Sequence, residues 1–436
     1  DCGRITEVRP FRQGKSSYFS LKFHPAKTEF HNRQQAFLIP PFKVTQIMIK
    51  KFFDKIRPHF EEKGKLSALH SVFEGMETFM LVPNTTSKSG VSIHDAIDSK
   101  RIMSFVVIAL LPALLFGMYN IGYQNALAAG QLENTSFWAM FIYGFLLVLP
   151  KIVVSYAVGL GIEFTVAQLK KEEIQEGFLV TGILIPMIVP VNCPLWMLAL
   201  AVAFSVILCK EIFGGTGMNI FNPALCARAF LFFSYPTSMS GDNVWLAKEQ
   251  VLSLGYNLPD ATTMATPLGE AAANHPISAS LNDMVLGFIP GSIGETSVIA
   301  IAIGALILLY TRIASWKTIL GVFVGGAVTA LLFNFAELEN NIASHMSCWE
   351  HFATGGFCFG AVFMATDPVT GSRTEEGKFI YGFFIGLLAI LIRVLNPGYP
   401  EGMMLAILFM NMFAPLIDYC FVQRNINKRL ARTKKK

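Results

Sequence analysis

The sequence predicts an all-α integral membrane protein with about ten transmembrane helices, arranged as two inverted five-helix repeats that contain broken or half-length helices. Three observations lead to this prediction. The chain is 53% hydrophobic and only 15% charged, which is far more apolar than a soluble domain. Its apolar runs are continuous, and several approach the ~18 residues that a helix needs to cross a ~30 Å hydrocarbon core. Lys and Arg are concentrated in alternate loops.

Composition divides the chain into six segments. They are an accessory or non-native leader (1–47), an amphipathic cytoplasmic segment (48–100), the first repeat (101–235), an external loop (236–295), the second repeat (296–422) and a basic cytoplasmic tail (423–436). The leader starts with Asp1 and resembles neither a signal peptide nor a span. In the second segment, residues 49–56 and 69–81 predict short amphipathic helices that lie on the membrane surface or contact a partner.

The apolar runs give the predicted spans and their irregularities. The spans cover about 102–120, 140–168, 178–192, 195–209, 224–235, 296–311, 316–335, 355–366, 379–394 and 403–422. Those near 224 and 355 are too short to cross alone, and the long one near 140 contains Pro150, which predicts a kink. Half-length, Gly-rich segments at matching places in two halves are typical of broken helices that face a cavity.

A weak internal repeat supports two related halves. The spacing of glycines and prolines in Gly177 to Val191 resembles that in Gly356 to Val369, and Ile207 to Ile212 parallels Ile390 to Leu395. Five spans separate the equivalent points. Because five is odd, the two halves are expected to have opposite orientations in the membrane.

The distribution of basic residues predicts the orientation of the chain. One set of loops contains Lys100, Arg101, Lys170, Lys171, Lys210, Arg312, Lys317, Arg373, Lys378 and the basic tail. On the other side, loops 121–136 and 337–354 contain no Lys or Arg, and loop 236–295 contains only Lys248. Both termini are therefore expected to be cytoplasmic, with loop 236–295 outside. Arg393, near the outer end of its span, is the exception.

Several classes of function are disfavoured by the sequence. The seven cysteines are scattered without a CxxC pair, so no metal site is predicted within the chain, although a ligand shared with another chain remains open. No Walker A or nicotinamide-binding fingerprint is present. No basic face interleaved with aromatics predicts nucleic-acid binding. Lys151 and the eight His residues show no convergent spacing and are interpreted as structural.

Five motifs together resemble a known family. They are Gly214 to Leu225, Arg228 to Phe230, Ile289 to Glu295, Phe363 to Val369 and Asn396 to Met404. They are similar to the NqrB subunits of the sodium-translocating NADH:quinone oxidoreductases, and the resemblance runs from about residue 50 to the end. It implies membership of a six-subunit complex in the bacterial inner membrane that passes electrons to ubiquinone or menaquinone while Na⁺ is exported. NADH would be oxidised on another subunit.

Two alternatives remain open. The RnfD subunits of the related Rnf electron-transfer complexes, which act between NADH and ferredoxin, share the core but lack an amphipathic part like residues 50–83. From a different class, a flavin-free permease built from inverted repeats explains the spans and the intramembrane acids. It does not explain the threonine motif of the external loop.

The resemblance implies that FMN is joined through its phosphate to Thr266. In the family, the acceptor is the last residue of a Ser-Gly-Ala-Thr type motif, which here reads Thr263-Met264-Ala265-Thr266. Met264 replaces the usual Gly, so the separate flavin transferase, acting outside the membrane, must accept a larger side chain. Thr262 and Thr263 are the fallback acceptors. From composition alone, an unmodified turn is the favoured interpretation.

A noncovalent riboflavin is implied beside the Gly-rich stretch that begins at Gly214. Asn219 and Asn222 match family residues that contact it, and amide side chains can both donate to and accept from a flavin ring. Without the resemblance, a tightly packed re-entrant turn is equally compatible with these residues. Arg228, in the following helix, either pairs with a cofactor or extends toward the membrane surface.

Four acids are implied in sodium uptake or movement: Glu74, Glu163, Asp367 and Asp418. Acids in or near spans are costly and suggest function, and carboxylate oxygens suit a small cation. For each acid alone, a charge at a cytoplasmic helix end is an equally good interpretation. Gly159 and Gly161, with Glu163, lie in the region implied to line a quinone or inhibitor pocket. Leu160 stands where the family has a second adjacent Gly.

Overall fold

A computed structural model of the chain describes residues 52–58, 73, 99–170, 177–336, 341–396 and 398–434. The predicted leader, Glu74 and most of the second amphipathic segment lie outside these residues. The chain divides into two compact units, one formed by 1–70 with 76–83 and the other by 71–75 with 84–436. In the first unit, residues 52–58 are helical, in agreement with the first predicted amphipathic helix. All further description concerns the second unit.

The first half of this unit contains two long helices followed by shorter ones. They are α1 (Ser99–Ala128), α2 (Phe137–Lys170), α3 (Phe178–Met187), α4 (Leu195–Phe204), α5 (Pro223–Ser234) and α6 (Pro236–Met239). A π-helical turn, Ser205–Lys210, and a 3₁₀ turn, Glu211–Phe213, continue α4. Helix α2 runs through Pro150 without a break. Two six-residue helices, α7 (Pro267–Ala272) and α8 (Leu281–Leu286), lie in the predicted external loop.

The second half repeats the sequence of long and short elements. Its helices are α9 (Val298–Tyr310), α10 (Trp316–Ala336), α11 (Ile342–His345), α12 (Cys348–Ala353), α13 (Phe357–Phe359), α14 (Glu375–Leu395) and α15 (Met403–Lys434). A π-helical turn, Gly360–Met364, continues α13. Both α3 and α13 are short and each follows two other membrane helices, which agrees with the predicted repeat. The opposite orientation of the two halves remains a prediction.

The prediction of an all-helical membrane protein is confirmed, but the count of ten spans is not. Within the described ranges no β-strand is present, and six helical segments are long and apolar enough to cross a membrane. Three shorter apolar helices, α3, α5 and α9, have 10 to 13 residues. A helix rises about 1.5 Å per residue, so these three segments cannot cross a ~30 Å core alone. They are the half-length elements that the sequence predicts.

Glycine allows the long helices of each half to pack closely. A Cβ on Gly144 of α2 would lie 1.8 Å from the carbonyl oxygen of Met118 in α1. In the second half, a Cβ on Gly325 of α10 would lie 2.0 Å from the carbonyl oxygen of Phe383 in α14. Between membrane helices, where lipid is as apolar as the side chains, such close backbone packing is a main source of association.

Lys151 connects α2 to the turn that follows α3. Its ammonium group is buried and donates to the carbonyl oxygens of Pro190, Val191 and Cys193, at 3.1, 2.6 and 2.9 Å. These contacts satisfy three carbonyl groups of a non-helical turn, which would be costly to bury unpaired. The interpretation of Lys151 as structural agrees with this arrangement, since it holds the end of the half-length helix in place.

Candidate functional site

Thr266 lies at the start of α7 and faces a cavity. Its Oγ1 accepts a hydrogen bond from the backbone NH of Gly269 at 3.0 Å, which caps the first turn of the helix. In this contact the hydroxyl oxygen accepts through a lone pair, so its proton is not needed. Replacing that proton with a phosphoryl group therefore leaves the cap in place. Thr263, one of the fallback acceptors, is exposed, and neither it nor Thr262 lines the cavity.

Met264 occupies its position without backbone strain. Its NH donates to the carbonyl oxygen of Asp242 at 3.1 Å. Among the described non-glycine residues with positive φ, which are Leu252, Ser253, Asn274 and Arg312, Met264 is not included. The fold therefore does not require glycine at this position, and the departure from the family motif concerns only the space occupied by the side chain.

We call the space beside Thr266 the Thr266 cavity. Its volume is about 330 Å³, at the lower end of the range of about 300–1,000 Å³ typical of ligand pockets. The hydroxyl of Thr296 lines this cavity, and its oxygen is buried without a hydrogen-bond partner. Gly355 and Gly356, both with positive φ, form another part of the wall. An unpartnered buried hydroxyl costs free energy that a polar ligand would recover.

A buried ionic cluster forms another wall of this cavity. Arg228 of α5 contacts the carboxylates of Glu295 at 3.1 Å and of Glu401, and it also donates to Ser292 at 3.3 Å and to the carbonyl oxygen of Ile188. We call Arg228, Glu295 and Glu401 the Arg228 cluster. Because one guanidinium is shared by two carboxylates, the cluster has one more negative than positive group when fully ionised. Burial raises the pKa of Glu295, the Glu401 carboxylate raises it further, and Arg228 opposes both effects.

A second, smaller cavity brings together three of the predicted site residues. This Asp367 cavity has a volume of about 120 Å³ and is lined by Asn219, Asn222 and Asp367. Asn222 Nδ2 donates to the Asp367 carboxylate at 3.2 Å, and Asn222 Oδ1 accepts from the NH of Ala224 at 3.0 Å, where it caps α5. Both ends of the Asn222 amide are thus engaged within the protein.

The Asp367 carboxylate is bound by neutral donors. Besides Asn222, it accepts from the NH of Val369 at 3.0 Å and from the hydroxyl of Thr370 at 2.9 Å. Asn219 Nδ2 donates to the carbonyl oxygen of Phe221 at 3.0 Å. The hydroxyl oxygen of Thr216, in the same cavity wall, is buried without a partner. The volume is below the usual range for ligand pockets, so the cavity can enclose only part of a flavin.

Glu163 lies next to the Asp367 cavity through an ion pair. Its carboxylate contacts the ammonium group of Lys210, and both side chains are about 5% exposed; Lys210 also lines the cavity. Gly159 is on the same buried face of α2, where a Cβ would lie 1.9 Å from the Phe178 ring. Gly161 is exposed on a different face with open space around it. The three residues of the predicted quinone region therefore do not share one face.

Asp418 holds the loop that precedes α14. Its carboxylate accepts from the hydroxyl of Ser372 at 2.6 Å, from the NH of Arg373 at 2.8 Å, and from the NH and hydroxyl of Thr374 at 2.9 and 2.6 Å. These four contacts give Asp418 a structural role. The same loop begins close to Asp367, so the two acids lie at the two ends of one short segment.

The interpretation of the sequence missed Glu295, Glu401 and Thr296 as site residues. Both glutamates are within the five motifs, but they are separated in the chain by 106 residues and from Arg228 by 67 and 173. One signal was available. Each glutamate stands in a Gly- and Pro-containing turn immediately before an apolar helix, where an acid with no local partner suggests a distant cation.

The repeated long and short helices, with cavities at the half-length elements, define a membrane protein of the inverted-repeat, broken-helix class. Residues 86–427 match the model of the NQR2, RnfD, RnfE family. The chain belongs to this family, and the resemblance noted in the sequence is confirmed.

Relatives in three bacteria agree with that assignment. The chain is 46% identical over 403 residues to a protein of Chromohalobacter salexigens, with 88% of this chain and 96% of the relative covered. It is 44% identical over 410 residues to one of Pseudoalteromonas atlantica and 43% identical over 408 residues to one of Stutzerimonas stutzeri, with 88% of this chain and 99% of each relative covered. All three are named as the NqrB subunit of Na(+)-translocating NADH-quinone reductase.

Proposed function

We propose that this chain is the NqrB membrane subunit of a Na⁺-pumping NADH:quinone oxidoreductase, carries FMN on Thr266 and passes electrons toward ubiquinone or menaquinone. The names of its relatives support membership of such a complex. The observation that carries the flavin assignment is the Thr266 hydroxyl at a cavity of about 330 Å³ whose wall contains the unpartnered Thr296 hydroxyl. A bound flavin would supply one- or two-electron transfer.

The residues of the Thr266 cavity fit this group. Thr266 would hold the phosphate through Oγ1 while keeping its contact with Gly269. Thr296 offers a hydrogen bond from within a buried wall. Arg228 provides a fixed positive charge, held in place by its two carboxylates, and the apolar parts of the wall exclude water.

The proposed riboflavin site is the Asp367 cavity. Thr216 provides an unpartnered hydroxyl there, and Asn219 and Asn222 provide amides that would exchange their present contacts for contacts to the ligand. The small volume means that surrounding groups must also move or that other subunits complete the site. The same cavity supports a role for Asp367 in sodium movement, because its carboxylate contacts neutral donors and could exchange one of them for a small cation.

The wider arrangement follows from these assignments. NADH would be oxidised on another of six subunits, and a separate flavin transferase would modify Thr266 on the outer side of the bacterial inner membrane, with both termini cytoplasmic. Glu74, Glu163 and Asp418 complete the proposed sodium pathway, and Gly159 and Gly161 mark the proposed quinone region. Glu163 is the strongest of these, because it is buried beside the Asp367 cavity.

The alternative within the family is an RnfD subunit, since the matching family description also includes RnfD and RnfE. The names of the relatives favour NqrB. Electron acceptance by quinone rather than ferredoxin in the purified complex would distinguish the two. A flavin-free permease would carry no flavin at all.

Flavin fluorescence on a denaturing gel tests the proposal. The chain, expressed with an active flavin transferase, is expected to give a fluorescent band that survives denaturation. Thr266→Ala should abolish it, whereas Thr266→Ser and Thr263→Ala should retain it, because the first keeps a hydroxyl at the cavity and the second removes an exposed one. A dark wild-type band, or a band lost in Thr263→Ala and kept in Thr266→Ala, would refute attachment at Thr266.

A further inference from the structure

The Arg228 cluster contributes more than a connection between loops. Arg228 comes from α5, Glu295 from the turn before α9, and Glu401 from the turn before α15, and all three line the Thr266 cavity. A cluster that served only to hold these elements together could equally be buried away from any cavity. Here its charged groups form part of the wall.

The charges of this cluster are unevenly placed. The two carboxylates at the cavity share the single guanidinium of Arg228. The next cation, Arg393, is buried behind Gly355 and donates to the carbonyl oxygens of His351, Thr354, Gly355 and Glu401. Arg393 does not line the cavity. The wall therefore presents an excess of negative charge to whatever occupies the cavity.

The position of Glu295 is fixed by glycine. Gly356 has a φ of +67°, and a Cβ there would lie 2.8 Å from the Glu295 carboxylate. A side chain at residue 356 would thus both strain the backbone and displace the carboxylate. The carboxylate is held against this turn on one side and by Arg228 on the other, and its charge has a defined position.

We propose that the Arg228 cluster sets the reduction potential of the flavin attached to Thr266, with Glu295 and Glu401 lowering it and Arg228 opposing them. This inference rests on the proposed flavin attachment. A flavin gains negative charge when an electron arrives from a reduced donor of the complex. A fixed negative charge in a poorly screened wall makes that step less favourable, and a fixed positive charge makes it more favourable.

Redox titration of the purified complex tests this inference. The complex is titrated with dithionite at constant pH while visible absorbance is recorded, and the signal of the Thr266-linked flavin is taken as the difference from the same variant carrying Thr266→Ala. Glu295→Gln and Glu401→Gln should each raise the midpoint potential, making reduction about tenfold more favourable. Glu249→Gln removes an equal charge from an exposed residue of the same loop, outside the cavity, and should leave the potential unchanged.

The outcomes separate the two levels of the proposal. If the gel shows covalent flavin in the variants but both potentials equal that of the wild type, the Arg228 cluster is only structural and the inference is wrong. If no flavin is attached in the wild type, the proposed function fails and the inference fails with it. Should Glu295→Gln prevent assembly, the result for Glu401→Gln decides, because that residue is less buried and its replacement is expected to be tolerated.

Discussion

The two cavities of this protein differ in how they treat charge. In the Thr266 cavity, two carboxylates and a guanidinium contact one another directly, so each charge depends on the others. In the Asp367 cavity, the lining carboxylate is held by an amide, a hydroxyl and a backbone NH, and the lining cation, Lys210, is paired with Glu163 behind the wall. The first arrangement suits fixed charges that act on a bound group, and the second suits a carboxylate that can exchange partners.

The largest effect is expected from removing the shared cation. Arg228→Met leaves two carboxylates beside each other without compensation, and breaking a buried ion pair from one side costs about 3–5 kcal/mol. Thermal unfolding of the purified complex should show a correspondingly large loss of stability. As a control, Lys170→Met removes the more exposed partner of Glu211 and should cost about 0–1 kcal/mol. Equal losses in the two variants would mean that the Arg228 cluster is not an interdependent unit.

An intermediate effect is expected from Asn222→Ala. This change removes the cap of α5, worth about 1 kcal/mol, and one donor to Asp367, worth about another 1 kcal/mol. Ser297→Ala is a matched control, because Ser297 caps α9 through the NH of Ala300 and lacks a contact of the Asp367 type. Unfolding experiments should show about half the loss in the control. A smaller loss for Asn222→Ala than for Ser297→Ala would contradict the paired role of Asn222.

A small effect on stability is expected from Asp367→Asn. The variant loses hydrogen bonds to a charge but no longer has to desolvate that charge, and the two terms oppose each other, so we expect a change of about 1 kcal/mol or less. If Asp367 takes part in sodium movement, the Na⁺ dependence of quinone reduction should nevertheless weaken. Asp260→Asn, at an exposed position of the external loop, should alter neither property. An unchanged Na⁺ response in Asp367→Asn would remove this acid from the proposed pathway.

The smallest effect is confined to a pH interval. Burial raises the pKa of Glu295 to about 7, against 4.5 when unperturbed. Because the folded protein then binds a proton more readily than the unfolded chain, Glu295 favours folding below about pH 4.5, and this contribution is lost as pH rises through about 7. The groups that surround it are Arg228, Glu401, Tyr399 and Arg393.

Comparing Glu295→Gln with wild type isolates this contribution. The difference in melting temperature between pH 5 and pH 8 should be smaller in the variant, since the amide does not titrate. His351, which burial keeps neutral by lowering its pKa to about 3, has the opposite sign and is present in both proteins. Identical pH dependence in the two proteins would show that Glu295 has the same proton affinity folded and unfolded.

The class of fold could be predicted from sequence because it depends on local composition. Continuous apolar runs require helices in a membrane, and runs of 10 to 13 residues such as those of α3, α5 and α9 are too short to cross. Family motifs also indicated Thr266, Asn219, Asn222 and Asp367. The structure brings the last three to one cavity.

The partners of buried charges could not be predicted. The ammonium group of Lys151 binds backbone carbonyls 39 to 42 residues away, and any residue type could supply a carbonyl. Arg228 was expected either to meet a cofactor or to extend toward the membrane surface. Its contacts are instead with Glu295 and Glu401, and only the folded chain brings those two turns together.

One short helix belongs to both cavities. The cap of α5, Asn222, is in the wall of the Asp367 cavity, and Arg228 and Phe232 further along the same helix are in the wall of the Thr266 cavity. A twelve-residue helix is about 18 Å long and moves as a rigid body. A ligand that favours one position of α5 therefore changes the affinity of the other cavity, and thermodynamic linkage requires the reverse effect to have the same factor.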